Sequence, residues 1–151
     1  PELVDAWRNL GAMLRQQGRH QEGRQCTEAA LKLNPSDGSL WGNYGNVLRD
    51  LGELEASLQA FQTGLQHSPG NGGLLHGQAI SLGRLGRHQQ VVDLLTPLVN
   101  QTVPEGGSNA LADLLLELGN AQYELGKKEE ALANWQRGAH SAGVKSAYSL
   151  A

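Results

Sequence analysis

Five histidines, a single cysteine and one Gly-Lys-Lys turn are the residues of this 151-residue chain best suited to chemistry, and none keeps the company that chemistry requires. A phosphate-cradling loop needs glycines at set spacing between a strand and a helix, and Gly126-Lys127-Lys128 lacks the preceding glycine. His20, His67, His76, His88 and His140 show no paired ligand spacing, so no metal site is expected. Cys26 cannot form an internal disulfide and reads as a small buried hydrophobe, which fits a reducing, cytoplasmic setting. Serine, histidine and acidic residues are present, but nothing marks an activated nucleophile. Asn100-Gln101-Thr102 is a formal glycosylation acceptor that matters only in a secretory pathway, and the run Lys127 to Glu130 reads as the solvated start of a helix. The segment is expected to be non-catalytic and to need no cofactor.

The charge balance narrows the partners. Twelve Lys and Arg against 15 Asp and Glu give a net charge of -3, the wrong sign for a general nucleic-acid or membrane-surface footprint. No run of about 18 apolar residues exists to span a bilayer. A protein or peptide partner is what remains.

The elements that must position such a partner follow from internal self-similarity. Trp7 and Trp41 set a period, and the same offset links Gly11, Gly45 and Ala79, then Gly18, Gly52 and Gly86, then Leu14, Leu48 and Leu82, and Pro35 with Pro69. A fourth phrase, Leu118-Gly119 and Leu125-Gly126, comes later than this period allows, which places an insertion of about six residues in the loop-like stretch 101–109. Within each unit the apolar residues recur at helical spacing, so every unit is two helices. The glycines at 18, 52, 86 and 126 suit a left-handed cap after the first helix, and Pro35 and Pro69 close the second. Of the 20 glycines, Gly23, Gly42, Gly77 and Gly83 have no evident structural role at this level. Pro97 is expected to bend or end the second helix of the third unit early, and Gln78 and Gln122 are polar where the neighbouring units are apolar.

Trp7, Leu10-Gly11, Leu14, Gly18, Ala30 and Pro35, and again Trp41, Tyr44-Gly45, Leu48, Gly52, Phe61 and Pro69, resemble the signature of the tetratricopeptide repeat family. The resemblance implies an all-α, right-handed superhelical solenoid of antiparallel helix pairs, one domain over 1–151, with repeats at about 4–37, 38–71, 72–105 and 112–145. Residues 146–151 read as the start of a further helix, and with Pro1 standing one full repeat before Pro35 the chain reads as an excerpt of a longer array.

In that family the first helices line a concave groove. Helical spacing then offers Arg8, Asn9, Arg15, Asn43, Asn46, Arg49, His76, Arg84, Asn120 and Tyr123 as groove residues. Asn9 and Asn43 recur in phase, and an amide both donates and accepts, so it can hold a peptide backbone whatever its sequence. They resemble the asparagine ladder of the repeat arm in the glycosyltransferase that modifies Ser and Thr with N-acetylglucosamine, although Gly77 and Glu117 interrupt it. Arg8, Arg15, Arg49, Arg84 and His76 gather positive charge, which favours an acidic peptide. The expected function is a protein-interaction scaffold. The alternatives are the substrate-recruiting arm of a larger enzyme, such as a glycosyltransferase, methyltransferase or sulfotransferase, and self-association through the repeat ends.

Overall fold

The computed structural model describes residues 2–101 and 107–143. Its regular elements are α-helices, in two compact units. The first, Pro1–Pro69, holds α1 (Glu2–Gln16), α2 (His20–Leu33), α3 (Gly38–Asp50) and α4 (Leu54–His67). The second, Gly70–Ala151, holds α5 (Gly72–Arg84), α6 (His88–Gln101), α7 (Gly107–Glu124) and α8 (Lys128–Ser141). Among these, no helix is long and apolar enough to cross a membrane.

The helix pairs form because each odd-numbered helix ends in the same turn. Gly18, Gly52, Gly86 and Gly126 have φ of 77°, 79°, 74° and 80°, a conformation that a side chain disfavours. The amide after each glycine reaches back five residues, Arg19 to Leu14, Glu53 to Leu48, Arg87 to Leu82 and Lys127 to Gln122, at 2.8–2.9 Å, and so satisfies a carbonyl that the helix end would otherwise leave open. The even-numbered helices of the first unit stop where the sequence places Pro35 and Pro69. Asn34 and Ser68 take extended-side ψ values of 79° and 74°, as a residue before proline must. Asp37 and Asn71, themselves one repeat apart, restart the chain as side-chain caps of α3 and α5.

Close packing within each pair rests on a missing side chain. A Cβ at Gly45 would lie 2.8 Å from the Phe61 ring, and one at Gly119 would collide with Trp135. In the first pair Gly11 meets Gly23, whose own Cβ would stand 3.2 Å from the Gly11 carbonyl, which gives Gly23 the structural role that the sequence left open. Ser57, the counterpart of Gly23, sends its hydroxyl to the Gly45 carbonyl at 2.8 Å. In the first unit Ala30, Leu31 and Leu40 form a buried cluster between the helix pairs, flanked by Val4, Trp7, Trp41 and Tyr44, and Trp41 Nε1 donates to the Pro35 carbonyl at 2.8 Å.

Three expectations need correction or relief. Pro97 does not end α6, which runs through it to Gln101. Val91, Leu95 and Val99 are buried on one face on both sides of the proline, so tertiary packing carries the helix across a missing donor. The inserted stretch is not all loop, since α7 begins at Gly107, five residues ahead of the 112 that the repeat phase gives. Its apolar stripe already starts at Leu111 and continues through Leu114, Leu115 and Leu118, so the extra residues add a turn of helix. Gln122, buried where α1, α3 and α5 carry leucine, accepts from Asn134 Nδ2 at 2.8 Å and donates to Glu130 at 3.4 Å, so the amide is not left without partners. The loop residues 102–106 and the further helix proposed from 146 lie outside the described residues.

Candidate functional site

In the first unit the expected groove residues meet on α1 and α3. Gly11, Ala12, Arg15 and Gln16 of α1 and Asn43, Asn46 and Val47 of α3, with Thr27 of α2 behind them, line a crevice of about 80 Å³. Asn43 and Asn46 lie one turn apart, so both amides look into the crevice. Arg49 donates to Asn46 Oδ1 at 3.0 Å and lies over the Phe61 ring at 5.7 Å, which leaves the Asn46 amide nitrogen as the group that can donate onward. Asn9, in phase with Asn43, is exposed on α1 and does not line this crevice.

The arginines of α1 and α2 are already engaged. Arg8 binds Asp5 at 3.3 Å and also Asp37, Arg15 binds Asp50, and Arg24 reaches Glu28 at 3.0 Å and Glu53 at 2.9 Å. His20 Nδ1 lies 3.8 Å from the same Asp50 carboxylate. The positive charge expected in this part of the groove is thus met by carboxylates of the second repeat. Sequence reasoning missed Asp37 and Glu53 as partners. The signal was present, because Arg8 to Asp37 and Arg24 to Glu53 share a separation of 29 residues, close to one repeat.

Local electrostatics follow from these contacts. Burial would raise the Asp37 carboxyl, but hydrogen bonds from the Ser39 hydroxyl and from the Ser39 and Leu40 amides, with the Arg8 guanidinium, outweigh it and hold the group below the usual carboxylate range. Burial pushes the Tyr44 phenol up, and its hydrogen bond to Glu28 at 3.1 Å adds to that. Burial likewise pushes the Cys26 thiol up, and the side chain is 6% exposed, so the thiolate is disfavoured and the residue packs as a hydrophobe.

In the second unit Arg84 and Asn120 come together with Ile80, His88, Glu117 and Glu124 around a larger cavity of about 380 Å³ between α5, the start of α6 and α7. His76 lies beside it, its Nε2 3.3 Å from Glu117. Asn120 Oδ1 accepts from Trp135 Nε1 at 3.1 Å, so its amide nitrogen remains for a ligand. Tyr123 does not join this cavity. Its ring stacks at 5.7 Å on Trp135, with Lys128 Nζ at 6.0 Å, on the side of α8.

Comparison with known proteins agrees with this architecture. Residues 4–37 and 38–71 each match a tetratricopeptide repeat model. No curated protein matches the sequence significantly. Among solved structures, PilF of Pseudomonas aeruginosa is 17% identical, with a TM-score of 0.81 over 93% of this chain and 61% of that one. PilW, described as a widely conserved type IV pilus biogenesis factor, is 15% identical, with a TM-score of 0.81 over 94% of this chain and 63% of that one. MamA from Desulfovibrio magneticus RS-1 is 15% identical, with a TM-score of 0.76 over 93% and 76%. The chain thus spans about three fifths of PilF and PilW, and at these identities the likeness speaks for the fold. Helix pairs recurring at a regular interval, a left-handed glycine in every turn between paired helices and two tandem matches over 4–71 converge on one assignment: the chain belongs to the tetratricopeptide repeat proteins.

Proposed function

We propose that the chain is a non-catalytic scaffold that holds an extended segment of another protein against the odd-numbered helices of its repeats. The observation that carries this reading is the crevice between α1 and α3, where Asn43, Asn46, Gln16 and Arg15 converge and two amides a turn apart present donors and acceptors to a backbone. Recognition through amides tolerates many sequences. An acidic side chain on the partner adds affinity by competing with Asp50 for Arg15 in this unit and by meeting Arg84 and His88 in the other. Each neutral hydrogen bond is worth about 0.5–1.5 kcal/mol, so losing two weakens binding roughly 5- to 150-fold.

The test is selection of peptides from a random-sequence library on the folded chain, followed by titration against the Asn43→Ala, Asn46→Ala double variant. A control variant carries Gln59→Ala and Gln62→Ala on the exposed side of α4. Circular dichroism first verifies that all three are folded. A loss within the stated range in the crevice variant, with none in the control, supports the reading. Equal affinity in all three shows that the crevice is not the site.

A further inference from the structure

Inside the first unit the way one repeat receives the next can be read residue by residue. α3 and the turn after it lie on α1 and α2, and three ion pairs fasten the junction: Arg8 with Asp37, Arg15 with Asp50 and Arg24 with Glu53. Gly11 with Gly119, and Gly18 with Gly126, fix the register between the first and fourth repeats. In that register the three arginines of α1 and α2 become Leu116, Tyr123 and Leu132 of α7 and α8. All three are well exposed, at 48%, 49% and 53%. Beside them Ala112, Leu116, Trp135, Gly138, Ala139 and Ala142 border a mostly apolar cavity of about 360 Å³. A helix with acidic residues in the α3 pattern would bring carboxylates onto this face with no cation to meet them, so a helix of that kind is the wrong occupant.

The right occupant needs apolar residues where α3 has its acids and its packing face. α1 meets that requirement. It holds in its own repeat the place that α3 holds in the next, and Leu3 stands one repeat before Asp37. Leu10 and Met13 stand where α3 has Tyr44 and Val47, the second of which is buried against its neighbours at 2% exposure. On α1 the corresponding side chains are open to solvent, Leu3 at 57%, Leu10 at 37% and Met13 at 49%. The two faces have therefore changed character together: an arginine against an aspartate inside the unit corresponds to Leu116 against Leu3 between molecules. At the other two positions Gln16 would meet Tyr123 and Arg19 would meet Leu132, so no like charges are opposed. Trp135, where α2 has Thr27, adds bulk opposite Ala6, where α3 has Leu40.

We infer that the α7/α8 face is an interface for the α1 face of a second copy of this chain, joined head to tail in the register by which α3 joins α1 and α2. Such a contact is heterologous, and each copy keeps one face free to take a further copy.

Sedimentation velocity over a range of concentration tests this with the 151-residue chain and three variants, each verified as folded by circular dichroism. The substitutions lie at exposed positions. Leu116→Arg alone and Leu3→Asp alone each bury an unmatched charge and are expected to weaken association about tenfold or more. The double variant rebuilds the Arg8–Asp37 type of pair between molecules and is expected to regain most of the loss. A parent chain that stays monomeric throughout overturns the inference. So does association that Leu116→Arg abolishes and Leu3→Asp leaves intact, which would mean that α7/α8 pairs with itself or with another surface.

Discussion

Asp37 shows how much one side chain can be asked to do. It caps α3 through the Ser39 and Leu40 amides, takes the Ser39 hydroxyl and binds Arg8 of the neighbouring helix pair. Asp37→Ala removes the cap and the ion pair and is expected to cost about 1–2 kcal/mol at neutral pH, whereas Asp37→Asn keeps the cap and costs less. The pH dependence has a definite sign. Because the folded-state pKa lies below the unfolded value of about 3.9, the carboxylate contributes its full share above that value and loses it as pH falls through the folded pKa. Urea titrations of the three proteins should therefore show the gap between parent and Asp37→Ala narrowing in acid. A gap that stays constant down to the acid limit would mean that the charge on Asp37 adds nothing to its capping. That Asp37 caps a helix was legible from its place before an apolar run. That Arg8 would find it was not, because periodicity places a residue on a face and says nothing about which neighbour reaches it.

At the scale of the helix, the glycine turns and the two closing prolines were readable because each is a local requirement of the backbone. Gly18, Gly52, Gly86 and Gly126 recur where a positive φ is needed, and no distant part of the molecule has to be known. α6 and α7 were misjudged for the opposite reason. Whether a helix survives Pro97 depends on what Val91, Leu95 and Val99 pack against, and whether 107–111 is loop or helix depends on the apolar stripe that Leu111 begins. The surviving proline leaves the Asp93 carbonyl without its amide donor, and the side chain is exposed, so nothing is lost in packing by shortening it. Pro97→Ala is expected to stabilise the chain by about 1–3 kcal/mol, visible as a higher midpoint in thermal and urea unfolding. An unchanged or lower midpoint would show that the surroundings have adapted to the ring and its missing donor.

For the whole molecule, the charge of -3 is distributed so that acids and guanidiniums answer each other inside the first unit, and binding has to work against that arrangement. Asp50→Asn leaves Arg15 in the crevice without its carboxylate. Affinity for acidic peptides is expected to rise about two- to fivefold, with neutral peptides unaffected and the gain shrinking as salt is added. Titration of matched acidic and neutral peptides at two ionic strengths measures it, and an equal rise for both would point to a loosened crevice and not to a released charge. Of the candidate site, the positions of Asn43, Asn46 and Arg15 on the odd-numbered helices follow from helical spacing, while the engagement of Arg15 by Asp50 and the turning of Tyr123 toward Trp135 do not.

The three arginine pairs also make the repeats unequal as parts. A segment such as 4–37 carries guanidiniums that require a successor with acids at matching places, as Asp37, Asp50 and Glu53 provide, and 112–143 offers leucines and a tyrosine where those guanidiniums would stand. Repeats that look interchangeable by their glycines are thus distinguished by what they demand of the next one. Exchanging them would leave every helix individually sound and yet strand charges at the new boundaries, so the order of repeats is itself inherited information.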